Sequence, residues 1–585
     1  MNEYKKYDID KIVIEIKHLS CYNLYSSEKR LYIIMKKHTP QEIVRLFSDK
    51  IDDCNLISEI FDYLLFDCKI RTFIDYEQLD ESIKNFYELK NEEALNTVIE
   101  IILAGKEAAS MNENTFLINI KAYIVDHLYD NVSVEEIASV FHVSYYYLCH
   151  LFKKLTNKTI HQFKTEKLLE KAIRQLIETE EKISSISTLC GFDNFSYFSE
   201  LFIKNVGMSP SEFKRKYAGC VLHPFYEFDD MLLALRMKTV QFLDCDDNDD
   251  SLGCPFVHVH DPGEDFGYFL HEAAIISYKD VLYASWYNCP EKELVGYTPI
   301  VGRRSYDGGK TWTAPEIIAE DKSGAILYCP PVYGICDGKL YMLMNQMVSA
   351  DHIHSLDLYF LNEETDKFEL LWSRPIPFKL NTNIVALPNG KLILPGRVGE
   401  LDAFPNTPAV MISDSGKIDA EWRIVKVAEN GNLLDGERLV HPETTVICCD
   451  GVLYLFNRND RRRVPLVYTS KDLGESWSQA MAHDIPYINS KIYGGTLSDG
   501  RHFLIANTDK EDRSKLVLYM AEKDTLVFTK SMLLIDCKKS IHNISSCHYP
   551  AAVEHDRKLY IIATADYKGE ATYGRGAILF TVDLK

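Results

Sequence analysis

The sequence predicts a multidomain protein in which an all-α N-terminal part is followed by an all-β domain. The chain has 585 residues, which is too long for one hydrophobic core. Before Gly219, two stretches carry apolar residues at helical spacing, each in the order helix, turn, helix. After Gly219, short apolar segments alternate with turns rich in Gly, Asp and Asn, and the pattern Ser-x-Asp-x-Gly-x-x-Trp occurs twice. We therefore predict three domains, which cover residues 1–112, 113–218 and 222–585.

Composition predicts a soluble globular protein of a reducing compartment. Hydrophobic residues make up 46% of the chain and charged residues 26%, as in ordinary globular domains. Residues 1–11 are charged and lack the apolar core of a signal peptide, and no apolar run approaches the roughly 20 residues of a membrane helix. The 15 cysteines include no Cys-x-x-Cys pair. We expect reduced thiols, a cytoplasmic location, no membrane association, and neither a metal nor another cofactor.

The first predicted domain, residues 1–112, carries no recognisable catalytic group. Two alternating stretches, KIVIEIKHL and RLYIIMKK, are typical of strands or short amphipathic pieces. After Pro40 the apolar spacing becomes helical, and Gly and Pro are nearly absent. These features predict a small, mostly helical domain. Two roles remain open for it, namely dimerisation and a packing adaptor between the next domain and a partner.

The first helix-turn-helix motif spans residues 133–157. Ser133 and Glu136 have the spacing of a capping box, in which each side chain binds the backbone N–H of the other residue. Ser144 is placed to cap the following helix. That helix carries an apolar stripe that consists of Leu148, Leu151 and Phe152. The pattern predicts two short helices that pack against each other.

The second motif spans residues 183–217. Gly191 ends its first helix, because glycine adopts a positive φ at little cost. Asp193 or Asn194 can cap the next helix, and Pro210 suits the first turn of a closing helix. Between the motifs, KTIHQFKTEKLLEKAIRQLIE keeps a helical repeat throughout. This segment predicts one rigid helix that fixes the spacing of the two motifs.

Two such motifs in this order resemble the AraC/XylS-type DNA-binding domain over about residues 114–218. The resemblance implies that the second helix of each motif enters the major groove of double-stranded DNA. In the first motif, it places at the DNA Tyr145, Tyr146, Cys149, His150, Lys153 and Lys154. In the second motif, it places there Phe195, Ser196, Ser199, Glu200 and Lys204.

This domain departs from the family in ways that leave its DNA preference open. Asn157 stands where the family usually has Gly, and Glu200 stands where a basic side chain is common. Residues 113–218 contain 13 basic and 13 acidic residues and so carry no net charge, whereas the whole chain carries −21. Non-specific affinity for DNA should therefore be modest, and dimerisation would strengthen binding. We expect a homodimer, with RNA polymerase as a further candidate partner.

The β domain contains a recurring turn motif. Its two copies consist of Ser305, Asp307, Gly309 and Trp312, and of Ser470, Asp472, Gly474 and Trp477. In such a turn the Asp accepts backbone N–H bonds, the Gly takes a conformation that other residues resist, and the Trp packs beneath. This is the Asp box, or BNR repeat, of sialidase-like β-propellers, which the domain resembles. The box holds strands together and does no chemistry.

The spacing of these turns predicts the number of propeller blades. Weaker copies centre on Asp366, Asp414 and Asp524, and successive copies lie 48 to 59 residues apart. One four-stranded blade has about this length. Residues 222–585 hold six to seven such periods, so we predict a six-bladed propeller with seven blades as the alternative. The C-terminal strand is expected to close the ring.

The sialidase resemblance also indicates where a site should lie. Sialidases hold a carboxylate with three arginines and use a Tyr/Glu nucleophile pair and an Asp acid. Here His271 stands at the position of the first arginine, so we do not expect sialidase activity. Polar residues nevertheless recur on strands expected to face the central funnel, where small apolar residues are usual. The candidate pocket residues are His271, Glu272, Arg303, Arg397, Glu443, Arg458 and Tyr549.

Three functions fit these features. The first is a transcription regulator whose propeller senses a carbohydrate, in particular an acidic sugar held by arginines. The second is a hydrolase or lyase for a glycoside or uronide that carries its own regulatory DNA-binding domain. The third is a regulator whose propeller only contacts proteins. The nearly complete DNA-binding motifs favour the first, and catalytic residues are not assigned.

Overall fold

The computed structural model describes parts of residues 76–101 and most of residues 113–584. Within the second range, the residues left undescribed are 131, 142, 221, 224–225, 246–252, 265–266, 350–351, 400–405, 429–438, 488, 510 and 569–572. The chain divides into two compact units between Ala218 and Gly219. The predicted domain over residues 1–112 lies largely outside the described residues.

The first unit is helical where it is described, and one further helix begins the second unit. The helices α1 to α8 of the first unit are Tyr76–Leu89, Glu113–Asp126, Val134–Val140, Tyr145–Thr156, Ile160–Glu178, Ile183–Leu189, Phe195–Val206 and Pro210–Tyr217. Helix α9 of the second unit is Phe228–Arg236.

Helices α3 and α4 form the first helix-turn-helix motif. The Ser133 side chain accepts the N–H of Glu136 while Glu136 accepts the N–H of Ser133, so the predicted capping box is present. Helix α4 ends at Asn157, whose φ of 59° is in the left-handed region that Asn tolerates better than most residues. The apolar stripe of α4 is buried against α2, α3 and α5. These local signals determine the turn and the relative packing of both helices.

Helices α6 and α7 form the second motif. Gly191 lies between them with a φ of +81°, and a Cβ there would come within 2.9 Å of the Tyr129 ring. The Asn194 side chain accepts the N–H of Tyr197 and so caps α7. A capping box joins Ser209 to Glu212 at the start of α8. Helix α5 connects the two motifs without a break over 19 residues.

The second unit consists mostly of β-strands. Strands β1 to β13 are Thr239–Val240, Phe256–His260, Phe269–Tyr278, Val281–Cys289, Ile300–Ser305, Glu316–Ala319, Leu327–Cys336, Lys339–Ser349, His352–Asn362, Lys367–Arg374, Phe378–Leu380, Val385–Ala386 and Leu392–Val398. Strands β14 to β26 are Thr407–Ser413, Arg423–Lys426, Thr444–Cys449, Val452–Asn457, Leu466–Ser470, Met481–His483, Tyr493–Thr496, His502–Asn507, Lys515–Ala521, Phe528–Asp536, Ile544–His555, Lys558–Lys568 and Tyr573–Asp583.

The described strands form five hydrogen-bonded sheets, which contact one another in a ring. Their orders are β10-β9-β8-β7, β11-β13-β14-β15, β1-β19-β18-β17-β16, β20-β21-β22-β23, and one sheet of eight strands. The eight-stranded sheet contains an antiparallel group β3 to β6 and an antiparallel group β24 to β26 with β2, which meet in one parallel bridge between Arg575 and Phe269. Strand β3 contacts β7, β7 contacts β11, β13 contacts β16, β16 contacts β20, β20 contacts β24, and β24 returns to β3. The second unit therefore has a β-propeller-like fold, and the hydrophobic core lies between neighbouring sheets.

Both full Asp boxes form compact turns. Asp307 accepts the N–H groups of Lys310 and Thr311, and Asp472 accepts the N–H of Ser476. Hydrogen bonds from the side chains of Thr311 and Ser476 lower the pKa of each Asp to about 2. Two of the three weaker copies differ, because their carboxylates bind arginines instead: Asp366 binds Arg304 and Asp414 binds Arg423.

In the part of the chain that the structure describes, no helix has both the length and the apolar character needed to span a membrane.

Candidate functional site

The residues predicted to face DNA lie on the outer faces of α4 and α7. Nine of the eleven are exposed, and Tyr146 is 83% accessible to solvent. Cys149 and Ser199 are half-buried. The Cys149 thiol raises the pKa of Tyr145, to which it is hydrogen-bonded. Tyr197, which sequence reasoning did not select, is 52% exposed on the same helix as Phe195.

The second unit contains a central cavity of about 260 Å³ between its inner strands. Apolar residues such as Ile335, Leu392 and Val553 line part of it. Its polar lining residues include Glu272, Asn381, Thr382, Lys491 and Tyr549. Ligand sites are commonly concave and mostly apolar with a few convergent polar groups. This cavity is therefore the candidate small-molecule site.

Arg458 joins two of the predicted pocket residues. Its Nη1 atom donates to Oε2 of Glu443 at 2.8 Å and to the hydroxyl of Tyr549 at 2.9 Å. Burial raises the pKa of Glu443, but the charges of Arg458, Lys491 and Arg397 outweigh it and hold that pKa at about 2. Burial also raises the pKa of Tyr549. At neutral pH the group thus consists of a carboxylate, a guanidinium and a neutral phenol.

Glu272 and Lys491 form a second buried contact. Lys491 Nζ donates to Glu272 Oε2 at 2.6 Å, and both side chains are less than 10% exposed. Lys491 Nζ also lies 5.6 Å from the ring centre of Tyr549. The two contacts therefore meet at the tyrosine ring.

Backbone strain is found at two of these residues. Glu272 has a φ of 48° and Tyr549 a φ of 52°, and each lies at a β-bulge on an inner strand. Left-handed backbone is costly for residues other than Gly, and such residues concentrate at functional sites. The bulges turn both side chains toward the cavity that they line.

A histidine pair lies beside Tyr549. The His271 ring is 4.2 Å from the Tyr549 ring and 5.5 Å from the His548 ring, measured between centres. His548 Nε2 lies 3.2 Å from Asp566, which also binds Arg575. Burial lowers the pKa of His548 to about 4 and holds the pKa of His271 well below its usual value. Both histidines are therefore neutral at physiological pH, so His271 does not supply the positive charge of an arginine.

The two other arginines predicted for the pocket, Arg397 and Arg303, have different contacts. Arg397 is buried near enough to lower the pKa of Glu443. Arg303 instead binds Glu264 at 2.5 Å, and it makes no described contact with the Tyr549 group. The structure thus brings together His271, Glu272, Arg397, Glu443, Arg458 and Tyr549, and it sets Arg303 apart.

Sequence reasoning missed Lys491 and Arg513. The Arg513 guanidinium lies 5.4 Å from the Tyr549 ring centre, and its hydrogen bonds go to the backbone carbonyl of Asn489. No carboxylate among the described residues binds it. Both cations lie in connecting segments and belong to no motif. Lys491 lies just before the inner strand β20, as Glu443 lies just before the inner strand β16, and this position is the sequence signal that could have identified Lys491.

The group around Tyr549 has an excess of positive charge. Arg397, Arg458, Lys491 and Arg513 supply four positive charges, and Glu272, Glu443 and Asp460, which interacts electrostatically with Arg458, supply three negative charges. Arg513 is half-buried, and a partly buried excess of cations is less costly when an anion compensates it. The site therefore suits a ligand that carries a negative charge. Among the described residues, no cluster of three or more His, Cys, Asp or Glu side chains could hold a metal ion.

Comparison with protein families supports both halves of this description. A helix-turn-helix domain family matches residues 137–216, and a BNR repeat-like domain family matches residues 282–561. The uncharacterized HTH-type transcriptional regulator YobQ of Bacillus subtilis (strain 168) is 35% identical over 89 residues, which are 15% of this chain and 37% of that protein. The HTH-type transcriptional activator RhaS of Enterobacter sp. (strain 638) is 26% identical over 140 residues, 24% of this chain and 50% of that protein. The chain spans about two fifths to one half of the length of these relatives.

Solved structures with some likeness to the second unit include sialidases. The Hadza microbial sialidase Hz136 matches 56% of this chain and 68% of its own at 13% identity and a TM-score of 0.45. The NanB sialidase from Streptococcus pneumoniae matches 56% and 71% at 12% identity and a TM-score of 0.44. The sheet topology given above defines the fold of this unit.

The chain is thus a helix-turn-helix protein with a C-terminal β-propeller-like domain. More particularly, it joins an AraC-type helix-turn-helix domain to a BNR repeat-like domain.

Replacement of Arg458 by Met tests how strongly the pocket depends on this residue. The variant leaves the Glu443 carboxylate buried without its hydrogen-bonded partner, so we expect a loss of about 3 kcal/mol in the free energy of unfolding at pH 7. All five tryptophans lie between residues 286 and 477, so tryptophan fluorescence during urea unfolding reports on this unit. A loss below about 1 kcal/mol would contradict the predicted dependence.

The double variant Arg458→Met with Glu443→Gln is the matched control, and it should recover part of the loss. The folded pKa of Glu443 is lowered, so the stabilisation of the wild type is complete above the usual pKa of 4.5. It should disappear as the pH falls toward about 2. The difference in the free energy of unfolding between wild type and the double variant should become smaller over the same pH range.

Proposed function

We propose that this protein is a DNA-binding transcription regulator of the AraC type whose propeller binds a carboxylate-bearing sugar and thereby alters DNA binding. The observation that carries the proposal is the excess of partly buried positive charge around the Tyr549 ring, in a chain that also carries an AraC-type domain. Arginines recognise carboxylates with two parallel hydrogen bonds, and an aromatic ring offers a face to a sugar.

The DNA-binding part of the proposal follows from the first unit. Helices α4 and α7, held by α5, would enter successive major grooves of double-stranded DNA through the residues on their exposed faces. Residues 113–218 form this domain, residues 1–112 supply dimerisation or an adaptor, and residues 222–585 form the sensor. The protein acts in the cytoplasm as a homodimer, with RNA polymerase as a partner at the promoter.

The sensing part assigns the ligand to the central cavity of a six-bladed propeller. Six blades agree with the ring of contacts among the innermost strands if the eight-stranded sheet counts as two blades. The ligand carboxylate would bind Arg513 and Arg458, which contact Tyr549 at the cavity wall, with Arg397 near Glu443. Arg513 is the best placed, because its hydrogen bonds to Asn489 leave its charge without a carboxylate.

A hydrogen-bonded loop offers a route from the pocket toward the DNA-binding domain. Residues 458–463 begin with Arg458 and end with Arg463, whose N–H donates to Asp230 of α9 at 3.0 Å. Asp230 is 5% exposed and also accepts the N–H of Glu227 at the start of α9. Helix α9 is the first helix described after α8 in the chain. A ligand that moves Arg458 would therefore displace the segment that leads to the DNA-binding domain.

The second candidate function is an enzyme acting on a glycoside or uronide. The contact of Tyr549 with Glu443 through Arg458 favours it, because sialidases use a Tyr/Glu pair. Two features weigh against turnover: His271 replaces an arginine, and the low pKa of Glu443 prevents it from acting as a general acid. Long incubation of purified protein with glucuronides, galacturonides and sialosides tests this alternative, and unchanged substrates would argue for binding alone.

The DNA-binding proposal predicts that the double variant Tyr146→Ala with His150→Ala loses sequence-specific binding. Each base contact contributes about 1–3 kcal/mol, so affinity for DNA from upstream of the gene should fall at least about tenfold. Electrophoretic shift and footprinting measure this. Folding should be unaffected, because both side chains are exposed. Glu180→Ala, another exposed substitution in the first unit, is the control and should bind normally. Wild-type protein that binds no upstream DNA would contradict the proposal.

The sensing proposal predicts that galacturonic, glucuronic or N-acetylneuraminic acid raises the melting temperature of the full chain. A ligand at one hundred times its Kd stabilises the folded state by about 2.7 kcal/mol. Arg513→Gln should remove most of this shift, because it removes a charge-assisted contact of about 1.5–3 kcal/mol. Arg501→Gln, which affects an arginine bound to Asp499, should keep it. An equal shift with neutral galactose, or a full shift in Arg513→Gln, would argue against an acidic ligand.

The coupling proposal predicts that Asp230→Asn separates ligand binding from the DNA response. Asparagine can replace only one of the two carboxylate acceptors, so the bond to Arg463 or the cap at Glu227 is lost. We expect the variant to bind the acidic sugar with wild-type affinity while its DNA affinity no longer changes with the sugar. Asp229→Asn, at a more exposed position of α9, should behave as wild type. A normal DNA response in Asp230→Asn would exclude this route.

A further inference from the structure

The ion pair between Glu272 and Lys491 connects two inner strands that are not neighbours. Glu272 lies on β3, and Lys491 lies just before β20. Strand β24 separates them in the ring, because β20 contacts β24 and β24 contacts β3. Both residues line the central cavity. The 2.6 Å contact therefore lies at the surface of the cavity and joins opposite sides of Tyr549.

The pair retains hydrogen-bonding capacity toward the cavity. Glu272 Oε2 accepts from Lys491, whereas no described residue donates to Glu272 Oε1. The Lys491 ammonium has three N–H donors, and its described hydrogen bond uses one. One acceptor and two donors thus remain at adjacent positions. A sugar hydroxyl both donates and accepts, so a pair of neighbouring hydroxyls satisfies this arrangement.

A purely structural role explains the arrangement less well. Buried ion pairs seldom stabilise a fold more than apolar residues of similar size do. Glu272 is also held in a left-handed conformation at a bulge, which costs further free energy. Contact with a ligand would account for both the backbone strain and the desolvation of Glu272, which lines the cavity.

The position of the pair is compatible with a ligand that contains one sugar ring. Lys491 Nζ is 5.6 Å and the Arg513 guanidinium 5.4 Å from the same ring centre of Tyr549. Their separation is therefore at most the sum of these distances, 11.0 Å. A single sugar ring with its substituents can span this distance. Its carboxylate would lie at Arg513, and its hydroxyls would lie at the neutral pair.

We propose that Glu272 and Lys491 form a hydroxyl-binding subsite, so that the ligand is a monosaccharide acid with two neighbouring free hydroxyls on the side of the ring away from its carboxylate. This inference rests on the proposed sensing function and adds the class of sugar. Because the pair carries no net charge, it selects for hydroxyls, whereas Arg513 and Arg458 select for the carboxylate.

The test is calorimetric titration of the full chain with galacturonic acid, glucuronic acid and N-acetylneuraminic acid. The acid that binds best is then compared with its analogues in which single hydroxyls are replaced by hydrogen. We expect Glu272→Gln to weaken binding of the parent acid about tenfold to a hundredfold, the effect of losing a hydrogen bond to a charged group. One deoxy analogue should bind wild type equally weakly, and Glu272→Gln should weaken that analogue no further.

Lys491→Met provides a second, independent variant and should show the same loss of discrimination. Glu363→Gln is the control, since it removes a carboxylate bound by the exposed Lys279. Melting temperatures show that each variant is folded. Unchanged affinity and discrimination in folded Glu272→Gln and Lys491→Met would overturn the subsite and leave the sensing function standing. Wild-type protein that binds none of the three acids would overturn both.

Discussion

The candidate site depends on the hydrogen bonds of the Arg458 guanidinium. The guanidinium binds the carboxylate of Glu443, which lies just before β16, and the phenol of Tyr549 on β24. Arg458 also begins residues 458–463, the last of which, Arg463, donates its N–H to Asp230 of α9. Its charge, together with those of Lys491 and Arg397, keeps Glu443 ionised in spite of burial. Arg458 thus contacts Tyr549, which lines the cavity, and it begins the segment that is hydrogen-bonded to α9.

The two units differ in the kinds of side chain that they expose and bury. The helix-turn-helix unit buries most of its apolar stripes and leaves large aromatic side chains such as Tyr146 exposed, which suits a surface that contacts a macromolecule. The propeller-like unit, in addition to its apolar core, buries charged residues and residues with left-handed backbone around a small cavity. Each unit therefore has features that suit a different kind of binding, and α9 follows the helix-turn-helix unit in the chain.

Sequence patterns predicted the helical unit well because its signals are local. Capping boxes, Gly191 and the apolar stripes act within a few residues of each other. The Asp-box turns at Asp307 and Asp472 were predictable for the same reason. Lys491 and Arg513 were not, because their positions depend on how distant strands close a ring. Arg303 was assigned to the pocket from its strand alone, but its place on β5 brings it to Glu264.

Hydrogen–deuterium exchange of the full chain, with and without the acidic sugar that binds best, tests directly whether the pocket is connected to α9. We expect slower exchange at β16, β24 and residues 458–463, together with a change in α9, because the ligand orders the Arg458 group and the loop that follows it. Altered exchange in the pocket strands without any change in α9 would contradict the connection. Unchanged exchange throughout the second unit would contradict the site itself.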